Sequence, residues 1–422
     1  MNFKKAALMF AATTVALGFA ACSDDDDNND GNGSDDNGTE VVDMWGEVLR
    51  GDNMTLKFFP DHFAYYWEYT FDAEANPETG LVITGSFPDS RFLSYNVYDD
   101  DEQTSYCENG FSLMDVEIVP NDGSVNPFLG ATGSKRDYTI YVLPTDAPKS
   151  ISAGKDNIIW FDTDVKKVCT ILRYYIPEGG ILGGVDMPVI KGLDLATGKT
   201  KAAPERQLSG LRGDMSIPGG AFASSPNLPF FRAPFSYAYP NGPAEYCYAR
   251  NVVEKENVLV FNFKAPSYPK NASEFGTTDM RYWSVCVGNQ ETYTPLAISD
   301  YQTKIDADGF ANYIVADKNG ANYAKVKSLA EANGYNVLEW DGDSWGDGVM
   351  ILYRNMVFAD DYEHSLRKLD PVGPGVNPMD NPAQFICAMA LGQWGAAGKK
   401  VSVADYIAAD GKVNPRQPNA AN

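Results

Sequence analysis

The chain has 422 residues, of which 57 are acidic, 34 basic and two histidine, giving a formal net charge of −23 at neutral pH. So large an acidic excess argues against nucleic acid as a partner, and two histidines give poor support to His-based metal catalysis. Aromatic residues make up 13% of the sequence, ample core material for about two domains.

In chain order, residues 1–21 carry two lysines, an apolar run and small residues directly before Cys22. That layout predicts a secretory signal peptide ending at a lipidation site, with Phe19-Ala20-Ala21-Cys22 as the lipobox and Cys22 as the acylated residue, the position of a palmitate. Residues 22–43 form a spacer; between 23 and 40 it holds eight acids, no base and no large apolar side chain. Such a segment buries too little surface to offset its ordering entropy and is predicted to be disordered. The remaining chain still has about seventeen excess negative charges, and no later stretch approaches eighteen apolar residues, so no further membrane span is expected.

The body reads as β structure written twice. SRFLSYNV at 90–97 recurs as MRYWSVCV at 280–287, and FPDHFAYYW at 59–67 as YPNGPAEYC at 239–247. LVITGSFP (81–88) matches LVFNFKAP (259–266), NIIWFDTD (157–164) matches NVLEWDGD (336–343), and ILRYY (171–175) matches ILYRN (351–355). Five blocks in one order predict an internal duplication. Their β-branched and aromatic residues, bounded by turn clusters, predict strands. The expected fold is mainly β: two tandem antiparallel β-sandwich modules, jelly-roll-like, at 44–190 and 229–400, with a Gly, Pro and Ser-rich linker at 191–228 and a tail at 401–422. Few long stretches keep a helical period; the best are near 321–333 and 381–397. The pattern suits two independent sandwiches as well as two packed face to face.

After Cys22 the thiols are Cys107, Cys169, Cys247, Cys286 and Cys387, with no CxxC pair. A zinc ribbon is excluded and at most two disulfides are expected.

The order of the R-aromatic-x-S strand, DVEIVPNDGSVNPF, RYYIPEGGILGGVDMPVI, then RYWSVC and a late ILYRNM resembles a widespread group of uncharacterised exported bacterial proteins built from two β modules. The resemblance covers most of residues 50–360 and implies a fold without a chemistry. The N-terminus resembles that of Bacteroidetes surface lipoproteins, whose acidic run after the cysteine acts as an export signal. That implies an outer-membrane lipoprotein facing outward, with a periplasm-facing one as the alternative.

Strand alternation puts Arg91 on the face of Leu93, Tyr95 and Val97, and Arg281 on that of Trp283, Val285 and Val287. An arginine on an apolar face must reach out at the strand end or meet a carboxylate. The expected role is an ion pair anchoring each module; the alternative is a site for an anionic ligand built from Arg91, Arg281 and Trp283. Asp341, Asp343 and Asp347 alternate in a glycine-bearing loop, the oxygen-donor spacing that calcium uses, although the twelve-residue loop pattern is incomplete. GDSWG at 342–346 matches a nucleophile elbow through Ser344, yet strands stand on both sides of it. His62, in the most aromatic stretch, faces Gly242 in the second copy, and the acidic runs 99–102 and 360–361 supply the carboxylates a glycosidase would need. Three classes of function remain: a surface lipoprotein binding a glycan or peptide, which leads; a carboxylate-dependent hydrolase of the glycoside class; and a structural subunit of an envelope complex.

Overall fold

The computed structural model describes residues 44–52, 59–102, 111–210, 224–233, 239–289, 293–372 and 376–417; the signal peptide, Cys22, the acidic spacer and Cys107 lie outside the described residues. Among the described residues each half of the body forms ten strands. The first half has β1 (Leu49–Arg50), β2 (Ala64–Asp72), β3 (Thr79–Ser86), β4 (Ser90–Asp99), β5 (Ser112–Met114), β6 (Asp137–Pro144), β7 (Ile158–Phe161), β8 (Lys167–Pro177), β9 (Val189–Asp194) and β10 (Thr200–Lys201). The second has β11 (Asn227–Pro229), β12 (Phe231–Arg232), β13 (Ala244–Val252), β14 (Asn257–Lys264), β15 (Met280–Gly288), β16 (Leu296–Ser299), β17 (Phe310–Asp317), β18 (Asn336–Trp340), β19 (Gly348–Phe358) and β20 (Ala397–Ser402).

Each half is a sandwich of two five-stranded sheets with matching strand orders. The inner sheets run β1-β2-β8-β4-β5 and β12-β13-β19-β15-β16, and the outer sheets β10-β9-β3-β6-β7 and β11-β20-β14-β17-β18. The five blocks matched in sequence fall on strands that hold equivalent places. One strand breaks the parallel: β10 follows β9 in the chain, whereas β11, in its place, precedes the whole second half. Pairing is antiparallel except at β6–β7 and β17–β18, which run parallel. Parallel neighbours need a crossover connection, and the predicted helix near 321–333 supplies the second one as Tyr323–Ala332.

Alternating side chains fill each sandwich: Trp67, Leu81, Tyr95, Ile140 and Leu172 pack together in the first, and Phe261, Trp283, Val285, Tyr313 and Ile351 in the second. The opposite faces of the inner sheets are buried too. Tyr66, Phe92, Cys169, Ile171 and Tyr175 pack against Tyr239, Ala244, Tyr282 and Met356 of the other half. The sandwiches therefore stack face to face as four layers, and the inner strands are buried on both sides.

Three expectations need correction. The boundary expected at 191 falls within β9; β9 and β10 extend the first outer sheet and β11 the second, so 191–228 is not a plain linker. The stretch 401–422 is more than a tail, because it finishes β20 and adds the helix Val403–Ala408, whose Tyr406 is fully buried. The helix foreseen across 381–397 is split into Pro382–Phe385 and Cys387–Leu391. Ile386 between them is extended and bridges Phe231, while Cys387 donates its N–H to the Phe230 carbonyl and joins Cys247 in a disulfide.

Candidate functional site

Polar chemistry concentrates at the seam between the halves. Arg91 Nη1 lies 2.6 Å from Asp300 Oδ1, and Arg281 Nη1 lies 2.5 Å from Asp115 Oδ1. Asp115 and Asp300 each stand immediately after the edge strand of their own inner sheet, β5 and β16. Each also accepts an N–H from the strand that carries its own half's arginine: Leu93 N to Asp115 Oδ2 at 2.9 Å, and Trp283 N to Asp300 Oδ2 at 3.2 Å. The pairing is reciprocal. Each half holds its aspartate against its own arginine strand and offers it to the arginine of the other half.

The serine of the repeated motif crosses the same seam. Ser94 donates to Asn241 Oδ1 at 3.1 Å and Ser284 to Asp61 Oδ2 at 2.7 Å. Asp61 also accepts from Tyr282 at 2.9 Å and from Arg354 at 2.5 Å, and Arg354 reaches the Phe59 carbonyl at 3.0 Å. Arg173 donates in the same way to the Tyr239 carbonyl at 2.8 Å. Phe59 and Tyr239 hold left-handed φ values of 50° and 51°. Such a conformation costs a non-glycine residue on the order of 1 kcal/mol or more, which the arginine hydrogen bonds at both carbonyls help to offset.

The ion pairs expected within each module thus run between modules. Arg281 and Trp283 are buried, and Trp283 spends its indole N–H on the Pro266 carbonyl at 3.2 Å, so the ring is core and no ligand can stack on it. Arg91 and Arg281 have their charges met by aspartates, which removes the ground for an anionic-ligand site there. Burial pushes Asp115 upward, and Asp300 up to about 6, against the opposing pull of the facing arginines. Cys286 is pushed up to about 12, chiefly by burial, and burial also raises Cys169, which leaves both of these thiols inert.

The calcium expectation also fails. Lys318 Nζ sits 2.8 Å from Asp341 and Lys255 Nζ 2.9 Å from Asp343, so ammonium groups hold the oxygens a cation would take. Among the described residues no three His, Cys, Asp or Glu side chains gather as a metal site would need, Asp347 included. Gly342–Trp345 forms one helical turn in which Ser344 donates to Asp341 at 3.0 Å, while His364 stacks on Trp394. His62 meets the Thr294 carbonyl through Nε2. In the acidic run 99–102, Asp100 is buried and accepts from Gly210 N at 3.0 Å and Tyr239 Oη at 2.9 Å.

Sequence reading missed the equivalence of Arg173 and Arg354 by one residue. Aligning ILRYY on ILYRN sets Arg173 against Tyr353, but Arg173 lies opposite Tyr66 and Ser94, as Arg354 lies opposite Tyr246 and Ser284. A one-residue slip moves a side chain to the other face of its sheet, and here it hides the seam.

A groove of about 290 Å³ opens on the second half, beside the edge strand β11. Leu228, Pro229, Ile386 and Met389 give it an apolar lining, to which Lys399 and Arg416 add charge; among the described residues no aromatic side chain and no carboxylate lines it.

No family model matches the chain, and no curated protein does. Among solved structures it is similar to an uncharacterised protein from Burkholderia cenocepacia, 12% identical, over 86% of this chain and 84% of that one, with a TM-score of 0.46. It is also similar to the VPA0106 protein from Vibrio parahaemolyticus, 11% identical, over 72% and 86%, with a TM-score of 0.38.

Proposed function

We propose that the protein is an outward-facing outer-membrane lipoprotein, anchored through Cys22, that binds a peptide in the groove of its second half. The lining of that groove carries the reading. Sugar recognition leans on exposed aromatic faces, and the described residues of this lining include none. Glycoside hydrolysis needs two carboxylates about 5 to 10 Å apart, and the described residues of the lining include no carboxylate. Aliphatic and thioether side chains beside an edge strand suit an extended peptide. The lipobox and the acidic run after it support the anchor and its orientation.

Titration of a fluorescent library of short apolar peptides against the purified body tests the binding. Saturable binding that Met389→Asp abolishes is expected, Met389 being 58% exposed in the groove wall. A library in which no peptide saturates would overturn the reading. The anchor is tested separately: Cys22→Ala releases the protein from the membrane fraction, and retention after a carbonate wash would overturn it.

A further inference from the structure

Resting on that reading, we infer that the groove recognises the C-terminal carboxylate of its peptide, and that Lys399 is the residue that meets it. The chain's net charge is −23, yet the charged side chains among the described residues that line the groove are both cations. Among the described residues neither one has an ion-pair partner. Arg416 donates to the carbonyls of Gly392, Gln393 and Gly395 at 3.0, 2.8 and 2.7 Å, and to Asn262 through both its backbone and side-chain oxygens. Every one of these acceptors is neutral, so Arg416 braces the groove while its charge stays uncompensated.

Lys399 donates to one neutral acceptor, the Gln417 carbonyl at 3.2 Å. An ammonium carries three donors, so two remain. The neighbouring Lys400 shows the usual solution on this acidic surface: its Nζ pairs with Glu254 at 2.8 Å. Alternation along β20 sends the two lysines to opposite faces, and among the described residues the groove side receives no such carboxylate. Partial burial lowers the Lys399 amine below its ordinary range, as expected of a cation short of a counter-charge.

Size points to the end of a chain. A volume of about 290 Å³ is at the lower limit of ligand pockets, enough for a terminal residue and its neighbour but not for the middle of a long segment. A terminal carboxylate beside an apolar side chain matches a lysine head above an aliphatic floor, and charge-assisted hydrogen bonds of this kind are about twice as strong as neutral ones.

The test uses one N-acetylated pentapeptide of alanine, valine and leucine, made with a free C-terminal carboxylate and as the C-terminal amide, and followed by fluorescence anisotropy. The carboxylate form is expected to bind about tenfold more tightly or better. Lys399→Gln should bring it down to the affinity of the amide and leave the amide unchanged, and Lys399→Arg should keep the preference. Equal binding of both forms by the parent would overturn the carboxylate inference and leave the groove reading standing. Failure of both forms to bind would overturn the two together.

Discussion

Arg354 and Asp61 face each other across the seam at 2.5 Å, both buried, while Arg173 and Asn241 hold the equivalent places in the other direction. The two halves use the same frame with one carboxylate exchanged for an amide. Where the carboxylate is missing, the Arg173 guanidinium is held by the Tyr239 carbonyl and lies over the rings of Tyr66 and Tyr98.

Removing Asp61 strands a buried guanidinium. Asp61→Ala is expected to cost about 3 to 5 kcal/mol, the range for breaking one partner of a buried ion pair, and chemical denaturation of mutant and parent measures it. A loss below about 1 kcal/mol, the level of a surface pair, would show that Arg354 has another counter-charge.

The opposite substitution should help. Asn241 accepts from Ser94 through Oδ1, while its Nδ2 is buried without an acceptor. Asn241→Asp therefore gives up no hydrogen bond and brings a carboxylate towards Arg173. A higher melting temperature is expected; a fall as large as that of Asp61→Ala would mean that the two sites are not equivalent.

Acidification should not open the seam. Burial raises the Asp300 carboxyl to about 6 even with Arg91 beside it, so the folded state binds this proton more tightly than the unfolded chain does. The stability tied to that proton is complete below the ordinary aspartate range and is lost as pH rises through 6. Asp115 and Asp100 are shifted the same way, also by burial. The melting temperature is expected to hold or rise from pH 7.5 to 5.5, with a weaker dependence in Asp300→Asn. A fall over that window which Asp300→Asn removes would contradict the linkage.

Much of the fold was legible because strands announce themselves locally. SRFLSYNV and MRYWSVCV became β4 and β15, and FPDHFAYYW and YPNGPAEYC lead into β2 and β13. The seam was not legible, since its partners are far apart in sequence: Arg281 and Asp115 are separated by 166 positions and Arg354 and Asp61 by 293. Asp115 and Asp300 lie in blocks that look unlike one another and share only their place after an edge strand. A hint was present in the inner strands, where Phe92, Ser94 and Asn96 alternate with the core residues Leu93, Tyr95 and Val97, yet are fully buried themselves. A strand covered on both sides has no solvent face to reveal its register. The groove was invisible for a similar reason, because its walls come from residues near 228, 386, 399 and 416.

Calorimetry of the parent and of Arg281→Leu tests most directly whether the repeated arginine joins the two halves into one body. Arg281 is buried against Asp115 of the other half, so its loss leaves an uncompensated carboxylate in a surface that both halves share. One cooperative transition is predicted for the parent, displaced downward as a whole in Arg281→Leu. Two separate transitions in the parent, with only the one belonging to the second half moved by the substitution, would contradict it.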